Sequence, residues 1–238
     1  MNALLKNKIS MSLSPYLFHS GVHINDIPEA ERSLIITHSI IFTSPKKNVL
    51  YYEGEMPRGI YILKKGRVKA SKINTDGSSL NHSLFNEGEL FGYNSVLCEE
   101  KNALTVSTSE SCELLFIEKN IFLNLLQNSP TLTQFFLKSI SKEFTLFVNK
   151  VSVFARKKIN ERVALYLLLL NEKFKHPGQI ADEAEITISR SDLAGFTGTT
   201  LENLVRTIKI FKDKDYIRTN GKSIYINDFE ALHNLSGV

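Results

Sequence analysis

The chain has 238 residues, of which 42% are hydrophobic, 10% aromatic and 23% charged. That composition excludes a disordered or low-complexity chain and suffices for one large packed domain or two ordinary ones. The formal net charge of +4 singles out no partner, because 16 Lys/Arg face 14 Asp/Glu before Arg156 and 13 face 11 from Arg156 onward.

The N-terminal stretch MNALLKNKISMSLSPYLF lacks an unbroken apolar core with a small-residue cleavage site behind it, so no secretory signal is expected. The most apolar run, VALYLLLL at 163–170, is too short to cross a bilayer. A cytoplasmic protein with no membrane partner is the resulting expectation. His19 and His23 have the i, i+4 spacing of a helical metal pair, but Gly21 between them weakens the helix such a pair needs. No metal site is predicted.

IPEAERSLIITHS reads as a helix ahead of a β region. Half of the twelve glycines fall between positions 54 and 92, and the segments they separate, such as GIYILKKG and GRVKASKI, are short and rich in β-formers. Asp76-Gly77 between RVKASKIN and SSLNHSLF predicts a tight hairpin, since glycine supplies the positive φ of a two-residue turn. ALTVSTS and CELLFIE continue the strands. Cys98 and Cys112 have no Cys or His neighbours at zinc spacing and read as buried free thiols.

Ser129-Pro130 predicts a helix start, a hydroxyl cap followed by a proline whose missing N–H costs nothing in the first turn. Leu132, Phe136, Ile140, Phe144, Phe147, Val151 and Phe154 then recur every three or four residues. Such a stripe can fill an intramolecular core. Its length, after a completed β domain, instead favours pairing with a second copy, with Leu132, Phe136, Ile140, Phe144, Phe147 and Val151 as the dimer interface.

From Arg156 onward the pattern changes to helices and one terminal hairpin. KINERVALYLLLLNEKF is a helix stopped by His176-Pro177-Gly178, and ITI at 186–188 reads as a brief strand. Ser189 with Asp192 predicts a capping box, Gly198 breaks the helix it opens, and Thr199 with Glu202 predicts a second box for LENLVRTIKIF. YIRTNGKSIYI is a hairpin around Asn220-Gly221. Two short helices at a small-residue turn with a basic hairpin behind them form a winged helix-turn-helix.

The second of those helices is expected to turn Leu204, Ile208 and Phe211, flanked by Leu201 and Val205, to the core. Glu202, Arg206 and Lys209 lie opposite. Residues 206–222 carry Arg206, Lys209, Lys212, Lys214, Arg218 and Lys222 against Asp213 and Asp215 alone. Double-stranded DNA is the partner this chemistry fits, because the major groove admits one α-helix and arginine can donate twice to guanine. The predicted DNA-binding set is Arg190, Thr199, Thr200, Glu202, Asn203, Arg206, Lys209, Lys212, Arg218 and Lys222, with the threonines and first-turn N–H groups suited to phosphate. A competing reading makes the helix-turn-helix a protein-contact element attached to a small-ligand sensor. No Walker loop, zinc-protease motif or nucleophile elbow occurs, so no enzymatic activity is expected.

In order, these parts resemble the Crp/Fnr family of bacterial transcription regulators over about residues 27–233: YYEGEMPRGIYILKKGRVKAS, NTDG, FNEGELFGY, the long helix, and ISRSDLAGFTGTTLENLVRTIKIFKDKDYI. The resemblance implies an α+β fold with an N-terminal β-roll sensor of jelly-roll or double-stranded β-helix type at 1–128. A central dimerisation helix at 129–155 and a winged helix-turn-helix at 156–238 complete it. It implies a homodimer on a two-fold-related DNA site, with RNA polymerase as a further partner and an unknown small molecule as effector. Glu202 and Arg206 match the family's recognition helix, whereas its preceding Arg is Leu201 here.

The pocket departs further. Family members that bind cyclic AMP carry a Glu for the ribose shortly after the GE turn and an Arg before Ser or Thr for the phosphate. This chain has Tyr93 and Asn94 after Gly92, CEEKNALTVS offers only Lys101, and no arginine lies between Arg67 and Arg156. Tyr93, Asn94 and Lys101 are the candidate effector pocket. Burying a phosphate without a guanidinium is costly, so cyclic-nucleotide binding is not expected. Two cysteines cannot hold the four-cysteine cluster of the oxygen-sensing branch, and His82, the candidate haem ligand, reads as structural. No cofactor is predicted.

Overall fold

A computed structural model of the chain describes residues 9, 11–16, 22–75, 79–175 and 184–238. They fall into two compact units, His19–Thr145 and Met1–Phe18 with Leu146–Val238.

In the first unit, helix α1 (Glu29–Thr37) precedes strands β1 (Ile40–Ser44), β2 (Val49–Tyr51), β3 (Gly59–Lys65), β4 (Val68–Ile73), β5 (Ser79–Phe85), β6 (Leu90–Phe91), β7 (Thr105–Thr108) and β8 (Cys112–Glu118). A short helix α2 (Tyr93–Cys98) lies between β6 and β7. The strands make two four-stranded antiparallel sheets in the orders β1-β8-β3-β6 and β2-β7-β4-β5. The run GIYILKK explains the layering. Leu63 and the partly buried Tyr61 join Val68, Ala70, Phe85 and Val106 in the core shared by both sheets. Ile60 and Ile62 join Leu90 and Ile117 beneath the helices. A strand buried on both faces must be apolar throughout, which is how this one reads. Gly59 lets β3 and β8 close up, because a Cβ there would stand 2.0 Å from the Ile117 carbonyl oxygen.

The expected turn at Asp76-Gly77 lies outside the described residues; its flanking strands pair with Ile73 opposite Ser79. Both cysteines are free, but only Cys112 is buried, where burial pushes its thiol up; Cys98 is exposed, which corrects the sequence expectation.

Helix α3 (Lys119–Asn128), which the sequence reading passed over, is capped by the Glu118 carboxylate, which accepts from the N–H groups of Asn120 and Ile121. Helix α4 (Pro130–Arg156) follows at once, and the Ser129 hydroxyl accepts from the Leu132 N–H at 3.2 Å as the cap required. The apolar stripe of α4 corrects the dimer interface predicted above. Leu132 and Phe136 are buried in this unit's own core, where Phe136 meets Tyr93 and Phe122 edge to face, and Ile140 packs against the same cluster. These three serve the fold of one chain. A second stripe lies one position over: Leu137, Ser141, Phe144, Val148, Val151 and Ala155 repeat at steps of four and three, all exposed, with Phe144 at 67%. Phe147 and Val151 of the predicted interface are also exposed.

The second unit contains α5 (Ile159–Phe174), β9 (Ile186–Thr187), α6 (Arg190–Thr197), α7 (Leu201–Asp213), β10 (Ile217–Asn220), β11 (Ser223–Ile226) and α8 (Phe229–Ser236). Helix α5 is buried on every side from Val163 to Asn171, as a central core helix must be. It ends at Phe174, and the predicted stop at His176-Pro177-Gly178 lies outside the described residues. The N-terminal segment also belongs to this unit: Ile9 and Leu13 are buried, and the Ser12 hydroxyl meets His233 Nε2 at 2.8 Å.

Phe136→Ala should lower the unfolding free energy by about 3–5 kcal/mol, the usual loss for a buried ring. Chemical denaturation should give the same loss at low and high protein concentration. A loss that disappears on concentrating the protein would return Phe136 to a subunit seam.

Candidate nucleic-acid interface

Helices α6 and α7 are joined by Gly198, Thr199 and Thr200, and each helix opens on a hydroxyl cap. The Ser189 hydroxyl accepts from the Asp192 N–H at 3.0 Å and opens α6. Gly198 closes α6 with φ +60, a conformation that glycine adopts without strain, and a Cβ there would meet the Phe154 ring at 2.4 Å. Thr200, not Thr199, caps α7, its hydroxyl accepting from the Asn203 N–H at 3.2 Å. The predicted Thr199–Glu202 box is therefore replaced, and Glu202 instead forms an exposed ion pair with Arg206 at 3.0 Å. Such an i, i+4 pair in solvent adds only about 0.3–0.5 kcal/mol, so it leaves both groups available to a ligand.

One residue that sequence reasoning missed governs this turn. Arg162 on α5 donates from Nε to the Thr197 carbonyl at 2.9 Å, from one terminal nitrogen to the Gly198 carbonyl at 3.1 Å, and from the other to the Lys157 carbonyl at 3.0 Å. Its guanidinium also sits 5.7 Å from the centre of the Phe154 ring. No local signal could reveal it, because two of its acceptors lie 35 and 36 residues further along the chain.

Helix α7 has a dry face and a wet one. Leu204, Thr207, Ile208 and Phe211 are buried, and Thr207 donates its hydroxyl to Asn160 Oδ1 at 3.1 Å. Glu202, Arg206, Lys209 and Lys212 are exposed as predicted, with Asn203 half-buried beside them. Leu201 and Val205 correct the expectation that they flank the core: each is 50% exposed and lies on the wet face.

Behind α7 the wing is a three-stranded sheet ordered β10-β11-β9. Asn220 pairs with Ser223, so the turn residues are Gly221 and Lys222, one position later than predicted, with Gly221 at φ +56. The Lys222 side chain is exposed at the tip. Arg190, one of the predicted DNA contacts, lies where α6 meets the wing. Its guanidinium donates to the Lys222 and Gly221 carbonyls at 3.2 and 3.4 Å, so it ties α6 to the wing tip. Arg218 donates to Asn227 Oδ1 at 3.0 Å and stacks 4.4 Å from the Tyr225 ring centre, which holds its charge on the wing surface.

The candidate effector residues lie in the other unit. Tyr93 is buried and its hydroxyl donates to Glu143 Oε1, while Asn94 Nδ2 donates to Glu143 Oε2 at 3.2 Å. Tyr93 and Asn94 thus converge on a carboxylate of α4; Lys101 is exposed on the segment before β7. Between the sheets, Tyr61 stacks on Phe91 at 5.3 Å and Phe85 on Phe91 at 4.9 Å, and burial raises the Tyr51 and Tyr61 hydroxyls above their ordinary range. His82 Nδ1 meets the Ser83 hydroxyl at 2.8 Å. His23 Nδ1 accepts from the Asn25 N–H, and His19 lies outside the described residues. Among the described residues no cluster of three or more His, Cys, Asp or Glu could hold a metal, and no helix is long and apolar enough to cross a membrane.

Two family models match this chain: a cyclic nucleotide-binding domain over residues 42–129 and a Crp-like helix-turn-helix domain over residues 161–235. An anaerobic regulatory protein of Haemophilus influenzae is 27% identical over 195 residues, covering 81% of this chain and 75% of that protein. The cAMP-activated global transcriptional regulator CRP of the same organism is 26% identical over 195 residues, covering 80% and 85%. The structure of FixK2 from Bradyrhizobium japonicum superposes with a TM-score of 0.73 at 19% identity, covering 84% of this chain and 98% of that one. With a β-roll, a long helix and a winged helix-turn-helix in the same order as these relatives, the chain belongs to the Crp/Fnr family of transcription regulators.

Proposed function

We propose that the chain acts as a cytoplasmic homodimer that reads a two-fold-related DNA site through α7 and answers to an effector other than a cyclic nucleotide. The observation that carries this reading is the wet face of α7: Glu202, Arg206 and Lys209 project from a helix whose opposite face is wholly buried and whose entry turn is fixed by Arg162. Arg206 suits guanine in the major groove. Thr199, Thr200 and the first-turn N–H groups of α7 suit phosphate, as do Lys212 at the helix end and Lys222 at the wing tip.

The exposed stripe of α4 supports the dimer. Steps of four and three from Leu137 to Ala155 are those of a coiled-coil seam, and Leu137, Phe144, Val148 and Val151 are large apolar side chains left in solvent by one chain. Two copies related by a two-fold axis present two α7 helices to one face of the duplex, with half-sites about 34 Å apart. RNA polymerase is the partner through which such a regulator would act.

Three features support an effector other than cyclic AMP. Tyr93 and Asn94 are engaged by Glu143. The Glu143 carboxylate they bind would repel a phosphate placed beside Tyr93 and Asn94. The absence of arginine between Arg67 and Arg156 leaves a cyclic phosphate without a guanidinium.

Phe144→Lys should convert the dimer to monomers in sedimentation equilibrium and abolish operator binding, while weak binding to random duplex at low salt survives. A Phe144→Lys protein that stays dimeric would remove α4 from the interface. Cyclic AMP and cyclic GMP at millimolar concentration should leave the thermal midpoint of the wild type unchanged, since a ligand selective for the folded state must raise it. A saturable rise would contradict this reading of the pocket.

A further inference from the structure

Leu201 and Val205 stand where a DNA-reading helix would be expected to place polar groups. Each is half exposed, while Leu204, Ile208 and Phe211 of the same helix are buried and Ile210, on another flank, is 38% exposed. They are four residues apart, one above the other on the same flank of α7, with Lys212 further along that flank. Lys209 borders them on one side and Glu202 and Arg206 lie beyond it. The result is an apolar strip, two side chains long, inside a cationic surface.

That combination narrows the ligand. The cations around the strip match a polyanion, and a polyanion rarely offers apolar groups. Duplex DNA offers one in the major groove, the C5-methyl of thymine, which cytosine, guanine and adenine lack. We propose that Leu201 and Val205 are specificity-determining residues that pack on thymine methyl groups and select A·T pairs beside the base read by Arg206. Leu201 begins the helix and Val205 follows about 6 Å along its axis, a distance of the order of two base-pair steps. One or two thymine contacts per half-site therefore fit the strip. The assignment rests on the DNA-binding reading of α7 given above.

The test uses the full chain and an operator that the chain itself enriches from a randomised duplex pool. Each thymine of one half-site is replaced in turn by deoxyuridine, which keeps the pairing edge and lacks only the methyl. Affinity should fall about fourfold at one or two positions, the loss of one buried methyl-sized group. Leu201→Ala and Val205→Ala should each erase that discrimination at one of the positions, and retained binding to random duplex at low salt shows that the variants are folded. Uridine without effect at every position would overturn the proposal, as would discrimination that survives in both alanine variants. A chain that enriches no sequence, and whose binding to duplex is insensitive to salt, would overturn the DNA-binding reading itself and this assignment with it.

Discussion

The Arg162 guanidinium holds the turn between α6 and α7 in place. Helix ends leave carbonyl groups without partners inside the helix. Arg162 supplies the missing donors: one rigid cation takes the Thr197 and Gly198 carbonyls at the end of α6 and the Lys157 carbonyl after α4. Positive charge at a helix C-terminus is favoured, and the planar fork fixes direction as well as distance. Lysine would bring the charge without the fork. Phe154 completes the brace by filling the space beside Gly198 that only a residue without a side chain can leave. The direction in which α7 leaves this turn, and hence which residues reach a ligand, follows from these contacts.

The long helix α4 solves a different problem with two faces. Its first turns give Leu132 and Phe136 to the core beneath the β1-β8-β3-β6 sheet, and Glu143 receives Tyr93 and Asn94. A second stripe, displaced by one residue, stays outside. The contacts from Tyr93 and Asn94 to Glu143 put the positions after Gly92 in mechanical continuity with the helix that carries Phe144, one residue beyond that glutamate.

The sequence was most informative where local chemistry is decisive. Glycines between strands, hydroxyl caps at Ser129 and Ser189 and the small-residue turn at Gly198 each impose a backbone shape within a few residues, and the structure has them. It was less informative about which partner an apolar residue meets. Leu132, Phe136 and Ile140 continue the same periodicity as Phe144 and Val151, and nothing in that periodicity says that a β-roll covers the first three. Leu201 and Val205 adjoin a true core stripe, and only the packing of α7 on its neighbours turns them outward. Single-residue shifts, from Thr199 to Thr200 at the cap and from Asn220-Gly221 to Gly221-Lys222 at the wing turn, lie within what competing small polar residues leave open. The contacts of Arg162 and Arg190 were illegible because their acceptors come from distant loops.

The central claim is that the polar face of α7 reads base sequence, and Arg206 is its most exposed test. Affinity of wild type and Arg206→Ala for an operator series with every base pair substituted in turn measures this directly. A reading arginine predicts a loss of about 1–3 kcal/mol on the parent operator, and an indifference of the variant to substitution at one base pair per half-site where the wild type discriminates. Equal loss on every sequence, with discrimination intact at all positions, would make Arg206 a phosphate contact and contradict the claim.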